Sequence, residues 1–454
     1  MEPELHSGLF KFDPYQGRDS PKLTTLDFAA TPTLTPSKYP PLTTKFKTPP
    51  YIYAHKKTSA QAIKIMLDES IISVHIRTQE RACEVAWFDD LCGGDTAYLG
   101  TVDPTRRSNF EHCSDIITTA DQMGFSNILL PTSYVVGQEV LPFASAMATK
   151  VLNINMLAAI RTGEIHPPML ARHLATLDHL LRGRLTVNII NSDLPGLKED
   201  ADMRYMRCGE VIEILKQAWT QDEIDFKGNI YQFKMRADAA KPYQQNGGPL
   251  LYFGGISPGS KDVCAKYCDV FLMWPEPEES IYATMQDMSE RAAAYGRTID
   301  FGLRVHVIVR ETEAEAKAYT KTLMSKFDAQ VAEQLKHRTQ DSKSLGVLRQ
   351  DEFRKNADPD DFVEPMLWMG IGRARSGCGG AIVGTPEQVI QKLNRYMDMG
   401  IRAFILSGYP LMEECELFGK YVLPHLNNIK LSVVQGRTPR ETPETPLTFG
   451  VLKA

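Results

Sequence analysis

No apolar run in the chain approaches the ~20 residues that a membrane-spanning helix needs, and the opening MEPELHSG lacks the basic and apolar regions of a secretion signal. Cytoplasm is the expected location. There is no surplus of positive charge: 51 Lys and Arg stand against 56 Asp and Glu, a formal net charge of −5. That balance gives no general attraction to nucleic acid or anionic membrane. Eight cysteines (Cys83, Cys92, Cys113, Cys208, Cys264, Cys268, Cys378 and Cys415) form no CxxC pair and no regular framework. Cys264 and Cys268 lie one helical turn apart, but without a second pair or a nearby His, packing explains them better than a metal. Missing too are HExxH, the GxxxxGK(S/T) phosphate loop and a strand-borne GxGxxG, which argues against a zinc hydrolase, a nucleoside-triphosphatase and a Rossmann dinucleotide site.

What is present divides into a biased beginning and a regular remainder. Residues 1–80 include a Thr- and Pro-dense stretch (TPTLTPSKYPPLTTKFKTPP) with little periodicity, expected as an extended or disordered arm, and one short helix is expected over 59–72. From 81 onward, apolar strand-like segments alternate with amphipathic helices. Candidate strands fall at 84–88, 127–130, 153–158, 185–190, 250–253, 270–273, 302–309 and 403–406. Gly124, Gly183, Gly296 and Gly400 sit just past helix ends, where a left-handed residue is wanted. Eight strand–helix units give the arithmetic of a (β/α)8 TIM barrel, with a doubly wound open sheet as the alternative. The expected division is an N-terminal extension over 1–80, a barrel over 81–430 with a long insertion at 311–381, and a C-terminal tail at 431–454.

Three stretches draw attention to chemistry. In FGLRVHVIVRET (301–312), Leu303, Val305, Val307 and Val309 share one face of a strand and Arg304, His306 and Ile308 the other. A cation and an imidazole on a face that parallel strands normally bury need either solvent at a sheet edge or a ligand. The second stretch is LLYF followed by GGISPGS, where a strand enters a Gly-rich turn and then a helix. That pattern suits a phosphate held by backbone N–H groups, although a tight turn with a Ser cap accounts for it as well. The third is the insertion, whose Gly-rich end surrounds Arg373 and Arg375 and suits a mobile basic flap or an idle surface loop.

The stretches PTS, IRTGEIHPPMLARHLATLDHLLRGR, RYMRCGEVIEILKQAWT, LLYFGGIS, FGLRVHVIVRET, WMGIGRARSGCGGAIVG and FILSGYP together resemble the bacterial luciferase-like flavin-dependent monooxygenases, and among them the alkanesulfonate monooxygenase group. The resemblance implies a barrel, reduced FMN (FMNH2) supplied by a separate NAD(P)H-dependent flavin reductase, and oxidative cleavage of a carbon–sulfur bond with dioxygen to give sulfite and an aldehyde. A homodimer or homotetramer is the expected assembly. By similarity, Asn188 and Ser192 lie near the flavin, and Tyr205, Gly254, Gly255 and Ser257 hold its phosphate. Trp274, Arg304, His306, Arg375 and Tyr409 match the group's active-site residues. Guanidinium groups suit a sulfonate, which is a permanent anion, and His306 suits proton movement. Two departures border the pocket: Cys92 or a neighbour stands where the group has His, and 135–137 replaces its Cys. With Asp89 and Asp90 at the rim, a hydroxylated sulfonate such as a sulfosugar fits better than an alkyl chain. The competing readings are the same barrel acting on an uncharged substrate (alkane, sulfone or heterocycle) and a non-catalytic flavin-binding protein.

Overall fold

The computed structural model describes residues 73–337 and 345–449. The Thr- and Pro-dense stretch and the helix expected over 59–72 lie outside the described residues. The first four strands are β1 (Glu84–Phe88), β2 (Asn127–Leu130), β3 (Asn155–Arg161) and β4 (Leu185–Ile190). A hairpin, β5 (Glu223–Lys227) with β6 (Gln232–Arg236), follows the helix Ala201–Thr220. Next come β7 (Leu250–Gly254), β8 (Val270–Met273) and β9 (Asp300–Val309). The insertion adds β10 (Phe362–Glu364), β11 (Leu367–Trp368) and β12 (Ala381–Gly384) before the last barrel strand, β13 (Ile401–Ser407).

Eight of these strands close into a parallel barrel in the order β9, β13, β1, β2, β3, β4, β7, β8 and back to β9. This is the expected (β/α)8 barrel, not an open sheet. Period-two alternation explains the layers. Leu303, Val305, Val307 and Val309 face outward into the main core beneath the helices. A second, inner core of small and medium side chains (Ala86, Leu157, Ala159, Leu250, Tyr252, Ala403 and Ile405) fills the barrel. Among the described residues, no helix is long and apolar enough to cross a membrane.

Two local expectations need correction. The third strand starts at Asn155 and runs to Arg161, later than the expected 153–158. A buried Arg161, paired with Glu164 at 2.6 Å, hid the strand's end by breaking the apolar run. The hairpin was not expected at all, because its strands are short and charged. Its signal was the alternating burial of EIDFK, in which Ile224 and Phe226 point inward. The helix after β9 begins as ETEAEAKAY suggests: Thr312 and Glu315 form a reciprocal capping box.

The insertion's return is what shapes the site. β8 pairs only with the first part of β9, Asp300 to Leu303, and leaves the upper edge of the ten-residue β9 uncovered on that side. β12 fills the gap in parallel, Ala381 opposite His306 through Gly384 opposite Val309. An unpaired strand edge this deeply buried would leave backbone groups unsatisfied. Closing it brings 375–380 to the mouth of the barrel.

The opposite end is sealed by Glu84. Its Oε1 accepts hydrogen bonds from Asn127 (2.8 Å) and Tyr252 (2.6 Å), and its Oε2 accepts one from the Leu431 N–H (3.0 Å). Burial raises its pKa, against these three donors. Glu84→Ala leaves three buried donors unmet at roughly 1–3 kcal/mol each. Thermal melting should drop by at least about 5 °C, whereas an unchanged Tm would show that the floor does not depend on this carboxylate.

Candidate active site

At the mouth of the barrel the interior face of β9 meets the end of β13 and the returning insertion. Arg304 is 6% exposed. Its Nη2 donates to Ser407 Oγ at 2.8 Å, and its Nη1 to the carbonyls of Val305 (3.2 Å) and Ile405 (3.3 Å). The guanidinium lies over the Phe88 ring, 4.5 Å from its centroid. Ser407 Oγ is in turn 2.6 Å from His306 Nδ1, and His306 Nε2 is 3.3 Å from the Cys378 carbonyl. The donors can be assigned by elimination. The Cys378 carbonyl can only accept, so the ring's N–H sits on Nε2; with the imidazole neutral, Nδ1 accepts the Ser407 proton while Ser407 Oγ accepts from Arg304. Burial, reinforced by Arg304 and Arg375, holds the imidazole pKa well below its ordinary value, which agrees with this neutral form. Both ring nitrogens are engaged, so His306 fastens strand to insertion.

Tyr409 stacks on His306, centroids 5.2 Å apart at 24°. Its hydroxyl receives a hydrogen bond from Arg375 Nη1 at 2.5 Å. Its carbonyl accepts from Tyr319 at 2.9 Å, and Arg310, ion-paired to Glu414 at 2.6 Å, lies over the Tyr319 ring. Burial brings the Arg304 pKa down to about 10, with Arg375 adding to the effect, while Tyr409 raises that of Arg375. Trp274, half-buried past β8, is covered by the insertion: a Cβ on Gly346 would come within 2.8 Å of its ring. Arg349 anchors that cover through Glu276 at 2.6 Å, and Gln350 through the Pro275 carbonyl at 2.8 Å.

A second group of residues gathers at the ends of β4 and β7. Asn188 Oδ1 and both side-chain polar atoms of Asn191 are buried without a hydrogen bond. Ser192 Oγ accepts from Arg161 Nε at 2.8 Å. Ser257 caps the helix Pro258–Tyr267, and its hydroxyl lies 2.5 Å from that of Tyr205. Glycine is required in the turn before it. Gly255 has φ +150°, and a Cβ there would sit 2.7 Å from Ser260; one on Gly254 would sit 3.0 Å from the Leu272 carbonyl. Backbone N–H groups, two hydroxyls and a ten-residue helix's N-terminus therefore converge where side chains are excluded.

The third wall is acidic. A cavity of about 40 Å3 is lined by Phe88, Asp90, Cys92, Arg375, Ser407 and Tyr409, among others. Burial raises the pKa of Asp89 well above the usual carboxylate range and takes Asp90 to about 7, with Asp95 adding to the second shift. Cys92 is pushed up to about 12 by burial. The loop expected to differ, 135–137, leaves Tyr134 and Val135 exposed, and Gln138 N–H bonds to the Leu91 carbonyl at 2.9 Å.

Residues 95–403 match the luciferase-like monooxygenase family. The chain belongs to that family. It is 55% identical over 370 residues to a sulfoquinovose monooxygenase of Agrobacterium fabrum (strain C58), covering 81% of this chain and 96% of the relative. It is 47% identical over 362 residues to one from Novosphingobium aromaticivorans, covering 78% and 99%. Among solved structures, the EDTA monooxygenase from Chelativorans sp. BNC1 superposes with a TM-score of 0.62 at 18% identity, covering 82% of this chain and 99% of that one. That likeness is one of fold.

Set against the family pattern, the structure brings Arg304, His306, Arg375 and Tyr409 into one constellation. Asn188 and Ser192 lie along β4 and just after it, and Tyr205 and Ser257 meet across two helices beside Gly254 and Gly255. Ser407, the link between Arg304 and His306, was missed, although it begins the quoted SGYP. Arg161 and Asn191 were missed for the same reason: a polar residue at a strand's end has no visible partner in sequence. Asp90 offers a test of the site's electrostatics. Its folded pKa is raised, so the stability it contributes is full below the unfolded value near 4 and is lost as pH rises through about 7. Asp90→Asn should therefore raise Tm, and by more at pH 8 than at pH 5. An equal effect at both would mean that Asp90 does not titrate in this window.

Proposed function

We propose that this chain is a monooxygenase that uses reduced FMN and dioxygen to cleave the carbon–sulfur bond of an organosulfonate of the sulfosugar class, giving sulfite and an aldehyde. A separate NAD(P)H-dependent flavin reductase delivers the reduced FMN. The observation that carries the reading is the pair Arg304 and Arg375 at the barrel mouth, in contact with Ser407 and Tyr409, which line the same cavity as Arg375. Two guanidinium groups with so few carboxylate partners suit a permanent anion that presents several oxygens. The names of the relatives at 55% and 47% identity support the sulfosugar class.

Bound FMN supplies the redox chemistry with dioxygen; the rest is the work of side chains. The turn at Gly254 and Gly255, Ser257 and Tyr205 would hold the phosphate, and the unmet polar atoms of Asn188 and Asn191, with Ser192, would hold the ring system. Arg304 and Arg375 orient the sulfonate and offset its charge. The Tyr409 hydroxyl, already accepting from Arg375, is free to donate its own proton to an oxyanion. Neutral His306 keeps Ser407 and Arg304 in place. Trp274 under its insertion cover keeps water out.

The phosphate assignment is tested by titrating the protein anaerobically with reduced FMN and reduced riboflavin. FMN should bind at least about tenfold more tightly, as one charge-assisted hydrogen bond requires; equal affinities would remove the phosphate site. The arginine assignment is tested by sulfite release from sulfoquinovose. Arg304→Ala and Arg375→Ala should each lose about tenfold to a hundredfold in kcat/KM, with reduced FMN binding kept. Lys in either place should restore activity only partly, because an ammonium makes no forked contact. Full activity in both alanine variants would assign these residues another role.

A further inference from the structure

Asp90 is an uncompensated group beside the arginine pair. It is 3% exposed. Its Oδ1 accepts the Asp95 N–H at 3.0 Å, while Oδ2 is buried without any hydrogen bond. The groups that face it include Asp89, Cys92 and Cys113 as well as Asp95, His112 and Arg375. Asp95 lies on its own loop. His112, from the helix Phe110–Met123, is 4.0 Å from Oδ2 but is already bonded to Asp95 at 3.0 Å. Arg375 comes from the insertion and is bonded to Tyr409. A buried carboxylate oxygen with no donor weakens the fold unless something arrives to satisfy it. Asp90 lines the cavity that also holds Arg375, Ser407 and Tyr409, so the arriving donor belongs to whatever fills that space.

We propose that Asp90 is the specificity-determining residue for hydroxylated sulfonates: its free Oδ2 accepts hydrogen bonds from the substrate's hydroxyl groups while the guanidinium groups hold the sulfonate at the other end. The inference rests on the sulfonate reading above and adds how the organic part is chosen. Charge sets the polarity of the pocket. The two guanidinium groups take the anion, so the neutral polyol lies toward Asp90 at the other side of the cavity. A polyol supplies O–H donors to Oδ2, and an alkyl chain supplies none. A pocket built to bond a hydroxyl discriminates strongly against the analogue that lacks it, because the pocket's own polar group is then buried unmet.

The experiment compares kcat/KM for sulfite release from sulfoquinovose and from 1-hexanesulfonate, with reduced FMN regenerated by a generic flavin reductase. Asp90→Ala should lower the sulfoquinovose-to-hexanesulfonate ratio by at least about tenfold. Asp90→Asn, of the same size and retaining one acceptor oxygen, should lower it by less, and it carries the test if the alanine variant does not fold. Calorimetric binding of sulfoquinovose should weaken in the same order. A ratio unchanged in both variants, whether the two rates fall together or neither falls, overturns the role given to Asp90 and leaves the sulfonate reading standing. Wild-type enzyme that releases sulfite from neither compound overturns the sulfonate reading, and this inference with it.

Discussion

The interior of a parallel barrel is a poor place for a guanidinium, and the burial of Arg304 is the constraint around which the active end is arranged. An unpaired cation in a medium of low dielectric is strongly disfavoured. Here the cost is met by two strand carbonyls, the Ser407 hydroxyl and the face of Phe88, with no carboxylate among the described residues hydrogen-bonded to it. Partners of this kind hold the side chain still without neutralising it. A carboxylate in their place would have stabilised the fold more simply and removed the positive field. The lowered pKa of Arg304 records that incomplete compensation.

From Arg304 the dependence spreads through one chain of hydrogen bonds. Ser407 receives from it and gives to His306, and His306 gives to the Cys378 carbonyl, so a residue of β9 fixes the end of β13 and then the insertion. The insertion is thereby part of the barrel wall as well as its cover. β12 completes the edge of β9 that β8 is too short to reach, and the segment leading into it delivers Arg375. In the described residues the insertion is held to the mouth of the barrel by Arg349, Gln350 and the contact of Gly346 with Trp274. Over these residues the insertion lies docked on the barrel.

The acidic wall is held at a cost to stability. Asp89 and Asp90 are both buried with raised pKa values, and among the described residues neither forms a salt bridge to an arginine. Groups held at such a cost concentrate at sites that bind or react. Their contrast with Glu84 at the other end of the barrel is instructive. Glu84 is equally buried but receives three hydrogen bonds, and it serves as a floor.

The sequence alone determined the repeating architecture and the family. Strand periodicity, the glycines at helix ends and the Thr312–Glu315 cap are local, and each is written within a few residues. Arg304 and His306 could be seen as unusual because period two places them on a face that should be apolar. The tertiary structure decided who meets whom. Nothing in the sequence could show that Ser407, a hundred and one residues from His306, lies between it and Arg304, because closure of the barrel puts the last strand beside β9. Nor could it show that β12 extends the wall, since that depends on the difference in length between β8 and β9. The isolation of Asp90 Oδ2 was invisible for the same reason. Whether a buried group is satisfied depends on every element packed around it, and local sequence carries no account of those neighbours.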